Sequence, residues 1–315
     1  MKLITTFSLS ALAAAALGAT AHWNPADVIA RGKFVRAFQT RKGEAAATLC
    51  LPATNEGERA AQLAELPQVV ADLERAGARV VVLDVPAEEL PSTVFSATAL
   101  PLVVGAANDG SHPPMPAGVR VGHRGTADIG PAAVVMGVPA TAHEASLAPL
   151  AAEALALHRG VFPPRYDHDQ LVIGDQAWPV ADGPHTFMPY EIPFLDWGHP
   201  ATWTNAPGRT VFVGACRMDR DLTRFGRQPG TVAHAEQFET LRDGLAPRDA
   251  GRSVDAGVAL ASTVAAAAAR RWHARLGPLL VGAAVVGLLG WAQLGGLWVS
   301  VSGVLAGAGI LALRR

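Results

Sequence analysis

The sequence feature that most constrains the fold is a C-terminal region of apolar stretches with few charges between them. Three stretches come one after another, at Val254–Ala269, Leu276–Ala292 and Leu297–Leu313. The chain of 315 residues is 50% hydrophobic and 17% charged, with a mean hydropathy of +0.23, which is too apolar for an ordinary soluble domain of this size. We therefore predict an α-helical transmembrane bundle over residues 253–315, with three helices, the first short and alanine-rich.

The positions of the arginines predict the membrane topology of this bundle. They lie between the first two stretches and after the third, whereas the link Gln293–Gly296 is uncharged. By the positive-inside rule the arginine clusters face the cytoplasm and the link faces outward. The clusters consist of Arg270, Arg271, Arg275, Arg314 and Arg315. An alternative treats residues 276–313 as a two-helix hairpin and Val254–Ala269 as a soluble helix, which would leave the last two arginines outside.

The N-terminal segment predicts export of the domain after it. Leu3–Ala21 carries no charge, comes directly after Lys2 and ends in Ala19-Thr20-Ala21. Residues 1–21 therefore fit either a cleaved signal peptide or an uncleaved first membrane span. In both cases we expect the protein in the bacterial inner membrane, with its main domain extracytoplasmic.

Residues 22–252 alternate strand and helix signals, which predicts one α/β domain. Apolar runs at Ala45–Leu51 and Arg79–Val85 predict strands, and the helical spacing of apolar residues between them predicts a β-α-β unit. Thr210–Ala215 predicts a later strand. The turn Gly174-Asp175 between two short apolar runs predicts an inserted hairpin. The expected fold is a mostly parallel sheet with this hairpin inserted.

Three segments of this region have the same order of motifs as a known family of bacterial domains. They are Leu66–Val85, Leu171–Tyr190, and a longer run that contains Val211-Phe212-Val213-Gly214-Ala215-Cys216, Pro229-Gly230-Thr231, His234-Ala235 and Thr240-Leu241-Arg242-Asp243-Gly244. With them the chain resembles the second type of CHASE domain, an extracytoplasmic sensory module commonly attached to bacterial cyclases and kinases. The resemblance covers most of residues 30–313 and implies an α/β sensor followed by transmembrane helices.

The chain departs from that family in three places. Pro52-Ala53 stands where such domains commonly carry an Asp, and Gly122–Pro139 lacks the Arg pair expected there. The resemblance also implies a kinase or cyclase module after the last span, whereas this sequence ends at Arg315, and we expect no such output module. Sensing without catalytic output is therefore the expected role.

A ligand pocket is predicted where Thr210–Ala215 ends. In open α/β sheets, ligands usually bind at the carboxyl ends of the strands, and a polar run comes after this strand. The residues predicted to line the pocket are Asp84, Cys216, Asp219 and Arg220. The alternative for this segment is an ordinary connecting loop.

Cysteine and glycine positions suggest further contacts. Cys50 and Cys216 both lie near the ends of predicted core strands, so they either form a disulfide or remain as two buried thiols. Gly303 and Gly307 form a Gly-x-x-x-Gly face that allows close helix packing, within one bundle or between two copies.

Several function classes have no sequence signal. The net charge is −1 with scattered basic residues, so we expect no nucleic-acid partner. No two of the ten histidines have the spacing of a local zinc pair, and we expect no metal site and no cofactor. The cluster Asp167-His168-Asp169 fits a solvated turn. No nucleophile motif is present, which argues against an enzyme.

Three functions are compatible with these observations. The first is a membrane-anchored sensory or interaction module that acts through a separately encoded partner. Its expected partners are the lipid bilayer and a membrane or signalling protein, or a second copy of the chain. The second is a structural subunit of an envelope complex. The third is an exported copper enzyme that uses His22, which cleavage after Ala21 would expose beside a free amine.

Overall fold

The computed structural model describes most of the chain. The described residues are 11–16, 36, 40–106, 111–124, 126–128, 134–136, 147–167, 170–179, 189–217, 220–223, 226–245, 248–249, 252–294, 297–298 and 301–313. Lys2, His22, Arg314 and Arg315, on which predictions of topology and copper chemistry rest, lie outside them, as does most of the N-terminal segment 1–21.

Six parallel strands form the main sheet. In chain order they are β1 (Ala46–Leu51), β2 (Val80–Pro86), β3 (Leu102–Gly105), β4 (Arg120–Gly122), β5 (Phe194–Leu195) and β6 (Thr210–Ala215). Their spatial order is β5-β1-β6-β2-β3-β4. The parallel α/β sheet agrees with the sequence prediction, and the last strand of this sheet along the chain lies near its centre.

Helices cover both faces of this sheet, because alternate side chains of a strand point to opposite faces. The helices are α1 (Glu56–Arg75), α2 (Leu150–Arg159) and α3 (Gly230–Arg242). Leu49, Leu83 and Val213 pack on the α1 face, together with the 3₁₀ turns Ala87–Glu89, Ser92–Ser96 and Pro200–Thr202 nearby. Val82 and Phe212 pack with α2 and α3 on the other face.

The ends of α1 result from local residue chemistry. The side chain of Asn55 caps the helix by accepting a 3.0 Å hydrogen bond from the backbone N–H of Glu58. After the helix, Gly77 adopts a positive φ of 79°, which a side chain would disfavour. The chain then enters β2 at once.

The connection after β6 runs over one face of the sheet, and the connections after its two neighbouring strands run over the other face. β6 leads into α3 on one face, whereas β1 leads into α1 and β2 into the 3₁₀ turns on the other. Divergent connections of this kind open crevices at the carboxyl ends of neighbouring strands, where α/β proteins bind ligands. β6 therefore has one such crevice on each side.

Smaller sheets surround this core. The predicted hairpin is present as Gln170–Ile173 and Gln176–Pro179, and Arg165–Asp167 adds a third antiparallel strand. Two further antiparallel pairs join Thr126–Asp128 to Val134–Met136 and Arg220–Thr223 to Gly226–Pro229. Two short parallel pairs join Arg41–Lys42 to Tyr190–Glu191 and Arg248–Asp249 to Leu297–Trp298.

The predicted transmembrane bundle over residues 253–315 is wrong. The C-terminal helices are α4 (Arg252–Ala269), α5 (Leu276–Leu294) and α6 (Ser302–Leu313). Among the described residues, no helix has both the length and the apolarity needed to cross a membrane. The third predicted span is broken, because Leu297–Trp298 is a strand and the 12 residues of α6 extend only about 18 Å at about 1.5 Å each. α4 carries Asp255, which is fully buried, in its first turn.

The small residues of these helices serve close packing. Gly303 and Gly307 are both buried in α6. A Cβ on Gly307 would overlap the hydroxyl of Thr263 in α4 and lie 3.3 Å from the Cβ of Ala14. Gly307, the second glycine of the Gly-x-x-x-Gly face, therefore lets α6 approach α4 within the chain.

Candidate functional site

The candidate site is a buried ion pair at the carboxyl edge of the main sheet. Asp84 near the end of β2 is 4% exposed, and its Oδ1 accepts a 2.8 Å hydrogen bond from Nε of Arg124. Its Oδ2 accepts a 2.9 Å bond from the hydroxyl of Thr231 in the first turn of α3. Nε2 of His234 lies 3.6 Å from Oδ1. One carboxylate thus links β2, α3 and the segment after β4.

Two glycines at strand ends make room for this cluster. Gly214 of β6 is the register partner of Asp84, and a Cβ on it would overlap the hydroxyl of Thr231. Gly105 ends β3, and a Cβ there would lie 2.6 Å from Cγ of Arg124. Both side chains therefore reach Asp84 through space that any residue other than glycine would fill.

The electrostatics keep Asp84 charged and the neighbouring imidazoles neutral. Burial by itself raises the pKa of Asp84, but His234, which is protonated in the acidic range where this carboxyl titrates, and the Arg124 guanidinium together outweigh burial and hold that pKa below its usual value. Burial lowers the pKa of His234 to about 4, even though Asp84 acts in the opposite direction. Burial also lowers the pKa of His123 to about 4. At neutral pH, the Arg124 guanidinium balances the carboxylate.

His234 contributes one further buried polar atom. Its Nδ1 is inaccessible to solvent and has no hydrogen-bond partner in the part of the chain that the structure describes. A buried nitrogen without a partner costs free energy, so it marks a position that structural stability alone does not explain.

α3 connects this cluster to the opposite edge of the sheet. Its residues 230–241 are all buried, including several polar ones. In its last turn, Oε1 of Glu239 accepts 2.7 Å hydrogen bonds from the backbone N–H groups of Ala45 and Ala46, at the start of β1. Glu236 accepts a 2.8 Å bond from the side chain of Gln228. One helix therefore carries polar contacts at both ends of the central strands.

The four predicted pocket residues are placed differently. Asp84 and Cys216 both lie at the carboxyl edge, but Asp84 is enclosed in the cluster rather than lining an open pocket. Arg220 begins the strand Arg220–Thr223, and its side chain is not among the described ones. Asp219 lies outside the described residues.

A disulfide joins Cys50 and Cys216, which is the first of the two alternatives predicted for these cysteines. Their Cα atoms are 5.2 Å apart, and 166 positions separate them in sequence. Gly214 pairs with Cys50 on one side and with Asp84 on the other. The disulfide therefore lies at the crevice between β6 and β1, and the Asp84 cluster at the crevice between β6 and β2.

Sequence reasoning missed Arg124, Thr231 and His234. A signal for a partner was present, because Asp84 is a charged residue inside the otherwise apolar strand Val80–Pro86. The identity of the partner was not readable, since Arg124 and Thr231 lie 40 and 147 positions away.

The cluster is suited to holding charge and binding polar groups. Among the described residues, no three His, Cys, Asp or Glu side chains come together as a metal site. Comparison with known proteins does not assign the chain to a family, since no protein-family model, curated protein or solved structure matches it. The function is therefore argued from the site alone.

Proposed function

We propose that the chain is an exported ligand-sensing or protein-interaction domain that acts through a separately encoded partner and has no catalytic output of its own. The observation that carries the proposal is the charged Asp84, buried between Arg124 and Thr231 at the carboxyl ends of β2 and β6. This is the edge at which open α/β sheets bind ligands.

Stability alone is a weak reason for such a cluster. Burying an ion pair costs desolvation energy, and apolar residues of similar volume often stabilise a core equally well. Here the pair also depends on Gly105 and Gly214, whose missing side chains remove packing from the strand ends. A structural feature that gives little stability and sits at a binding edge favours a role in recognition.

The disulfide supports the export part of the proposal. Structural disulfides persist in oxidising compartments and are rare in the cytosol of most organisms. Cys50 and Cys216 are bridged directly beside the candidate site. We infer that the α/β domain works outside the cytoplasm.

Exposed apolar side chains on α5 support the involvement of a partner. Five large apolar side chains among the described ones of this helix are at least half exposed: Leu276, Leu279, Leu280, Leu288 and Trp291. Contiguous exposed apolar residues are typical of surfaces that contact another molecule. α3 also offers a route for a signal within the domain. Thr231 in its first turn contacts Asp84, and Glu239 in its last turn binds the backbone at the start of β1, so a shift of Thr231 would move the whole helix and its contact with β1.

The ligand-sensing proposal is tested by thermal unfolding of the full chain with panels of amino acids, small organic acids and amines. We expect a saturable rise of the unfolding midpoint with at least one class of compound. Asp84→Asn and Thr231→Val should abolish that rise, and Asp72→Asn, which alters a carboxylate on α1, should retain it. Circular dichroism checks that each variant is folded.

Two results would contradict the ligand-sensing proposal. One is the absence of any saturable rise with the wild-type chain. The other is a ligand-dependent rise of the unfolding midpoint that both Asp84→Asn and Thr231→Val leave unchanged, because the ligand would then bind away from the cluster.

A further inference from the structure

A cavity lies at the amino end of β4, away from the Asp84 cluster. Its volume is about 700 Å³, and it is open on one side. The end of α2 and the turn after it form one wall, with Val161 and Phe162, and the inserted hairpin forms the other, with Val172 and Gly174. Arg120 and Arg165 complete the polar part of the lining.

The polar part of the cavity is cationic. Its described lining contains two guanidinium groups and no carboxylate. Arg120 is held in place, since its Nη2 donates a 3.1 Å hydrogen bond to the carbonyl of Val161 and its Nη1 lies 3.4 Å from Oε2 of Glu153. Burial raises the pKa of Glu153 to about 7, so near neutral pH this carboxyl only partly offsets the charge on Arg120.

The apolar part of the cavity centres on Phe162. This ring is 89% exposed, which is unusual for a phenylalanine. The turn that presents it is fixed, because Gly160 ends α2 with a φ of 69°, the Val161 N–H donates to the carbonyl of Ala156 at 3.0 Å, and Pro163 comes next. The backbone that carries Phe162 is thus fixed, and its ring lines the cavity with the two arginines instead of packing in the core.

We propose that this cavity binds small planar organic anions, in which a carboxylate is attached to a flat apolar group. The carboxylate pairs with Arg120 and Arg165, whose guanidinium groups donate in the fork geometry that suits carboxylates. The flat group lies against Phe162. This site goes beyond the function proposed for the Asp84 cluster, since it involves neither Asp84 nor the carboxyl edge.

Benzoate is a suitable probe, with isothermal titration calorimetry of the full chain as the measurement. We expect saturable binding of benzoate and much weaker binding of benzamide, which lacks the charge, and of acetate, which lacks the ring. Arg165→Gln should weaken benzoate binding about tenfold or more, and Phe162→Ser about threefold or more. Both positions are on the surface, so neither change should unfold the protein.

Matched controls separate the site from general effects. Arg75→Gln and Phe194→Ser remove an exposed arginine and an exposed phenylalanine elsewhere and should bind benzoate like the wild type. Asp84→Asn should also leave benzoate binding unchanged, which distinguishes this inference from the proposed function. Absence of benzoate binding would overturn the inference, and so would equal binding of benzamide or acetate or an unchanged affinity in both site variants.

Discussion

The hydroxyl of Thr231 donates a 2.9 Å hydrogen bond to Asp84 across a gap that only a glycine at position 214 leaves open. Thr231 belongs to the helix that comes after β6, and Asp84 belongs to the neighbouring strand β2. The bond therefore joins the start of the helix after β6 to the neighbouring strand β2 at the carboxyl edge of the sheet. Its dependence on Gly214 gives the first of four predictions.

Gly214→Ala should destabilise the fold. The added Cβ would overlap the Thr231 hydroxyl, so either the hydrogen bond to Asp84 breaks or β6 shifts, and overpacking of this kind costs about 1–3 kcal/mol. Urea unfolding measures the loss. Gly257→Ala in α4 is the control, because nothing lies within 4 Å of its added Cβ, and it should be neutral or slightly stabilising. Equal effects of the two changes would disprove the prediction.

Asp84 and Arg124 should be strongly coupled energetically. Asp84→Asn removes the charged partner that faces the Arg124 guanidinium in a buried site, and we expect a loss of roughly 3–5 kcal/mol in the free energy of unfolding. Arg124→Gln should cost a similar amount, and the double variant should cost less than the sum. The same cycle on the more exposed pair Asp72 and Arg75, whose side chains are 15% and 68% exposed, should give a coupling of only about 0.2–1 kcal/mol. Additive losses at Asp84 and Arg124 would rule out the coupling.

Glu153 should make stability depend on pH. In the folded protein burial raises its pKa from the usual 4.5 to about 7, although Arg120 acts in the opposite direction. The folded state therefore holds this proton more tightly than the unfolded state, so the free energy of unfolding falls as pH rises from about 4.5 to about 7. Relative to Glu153→Gln, which cannot ionise, the wild type should lose roughly 1–3 kcal/mol over that range.

Urea unfolding of wild type and Glu153→Gln at about pH 5 and pH 8 gives this difference. Other titrating groups are common to both proteins, so their contributions cancel. A difference between the two proteins that stays constant with pH would refute the assignment to Glu153.

The Cys50–Cys216 bridge should contribute substantially to stability. It closes a loop of 166 positions, and bridges across long loops typically add about 2–5 kcal/mol by restricting the unfolded chain. The denatured, unreduced protein should contain no free thiol, and a reductant should lower the unfolding midpoint of the wild type. The double variant Cys50→Ala with Cys216→Ala should not respond to the reductant. Two titratable thiols before reduction would show that the bridge is absent in solution.

Local patterns in the sequence were sufficient for the main elements of the α/β domain. β6 was predicted with its observed bounds, because Thr210–Ala215 is a short apolar run between turn residues. The sequence predicts the last helix of this domain over Ala233–Arg242, whereas α3 begins three residues earlier, at Gly230, since Gly230 and Thr231 have no helical signal of their own. The C-terminal error has a physical cause, because small and apolar residues that pack helices within a protein have the composition of membrane spans.

The candidate site was only partly predictable. Asp84 was identified because it stands at the end of a strand, and strand ends face a common edge in a parallel sheet. Its contacts depend on which strands become neighbours, and β6 inserts between β1 and β2 although it is formed by the last part of the domain. The spatial order of the strands is set by the packing of the whole domain, so it cannot be predicted from spacing along the sequence.

The disulfide also determines the effect of backbone cleavage on this protein. Cys50 and Cys216 make the intervening chain, from the end of β1 through β6, a closed covalent ring. A protease that cuts one surface connection within that ring opens it but releases no fragment. The two pieces would remain one molecule until the bridge is reduced, and the central strands β1 and β6 would stay side by side after the cut.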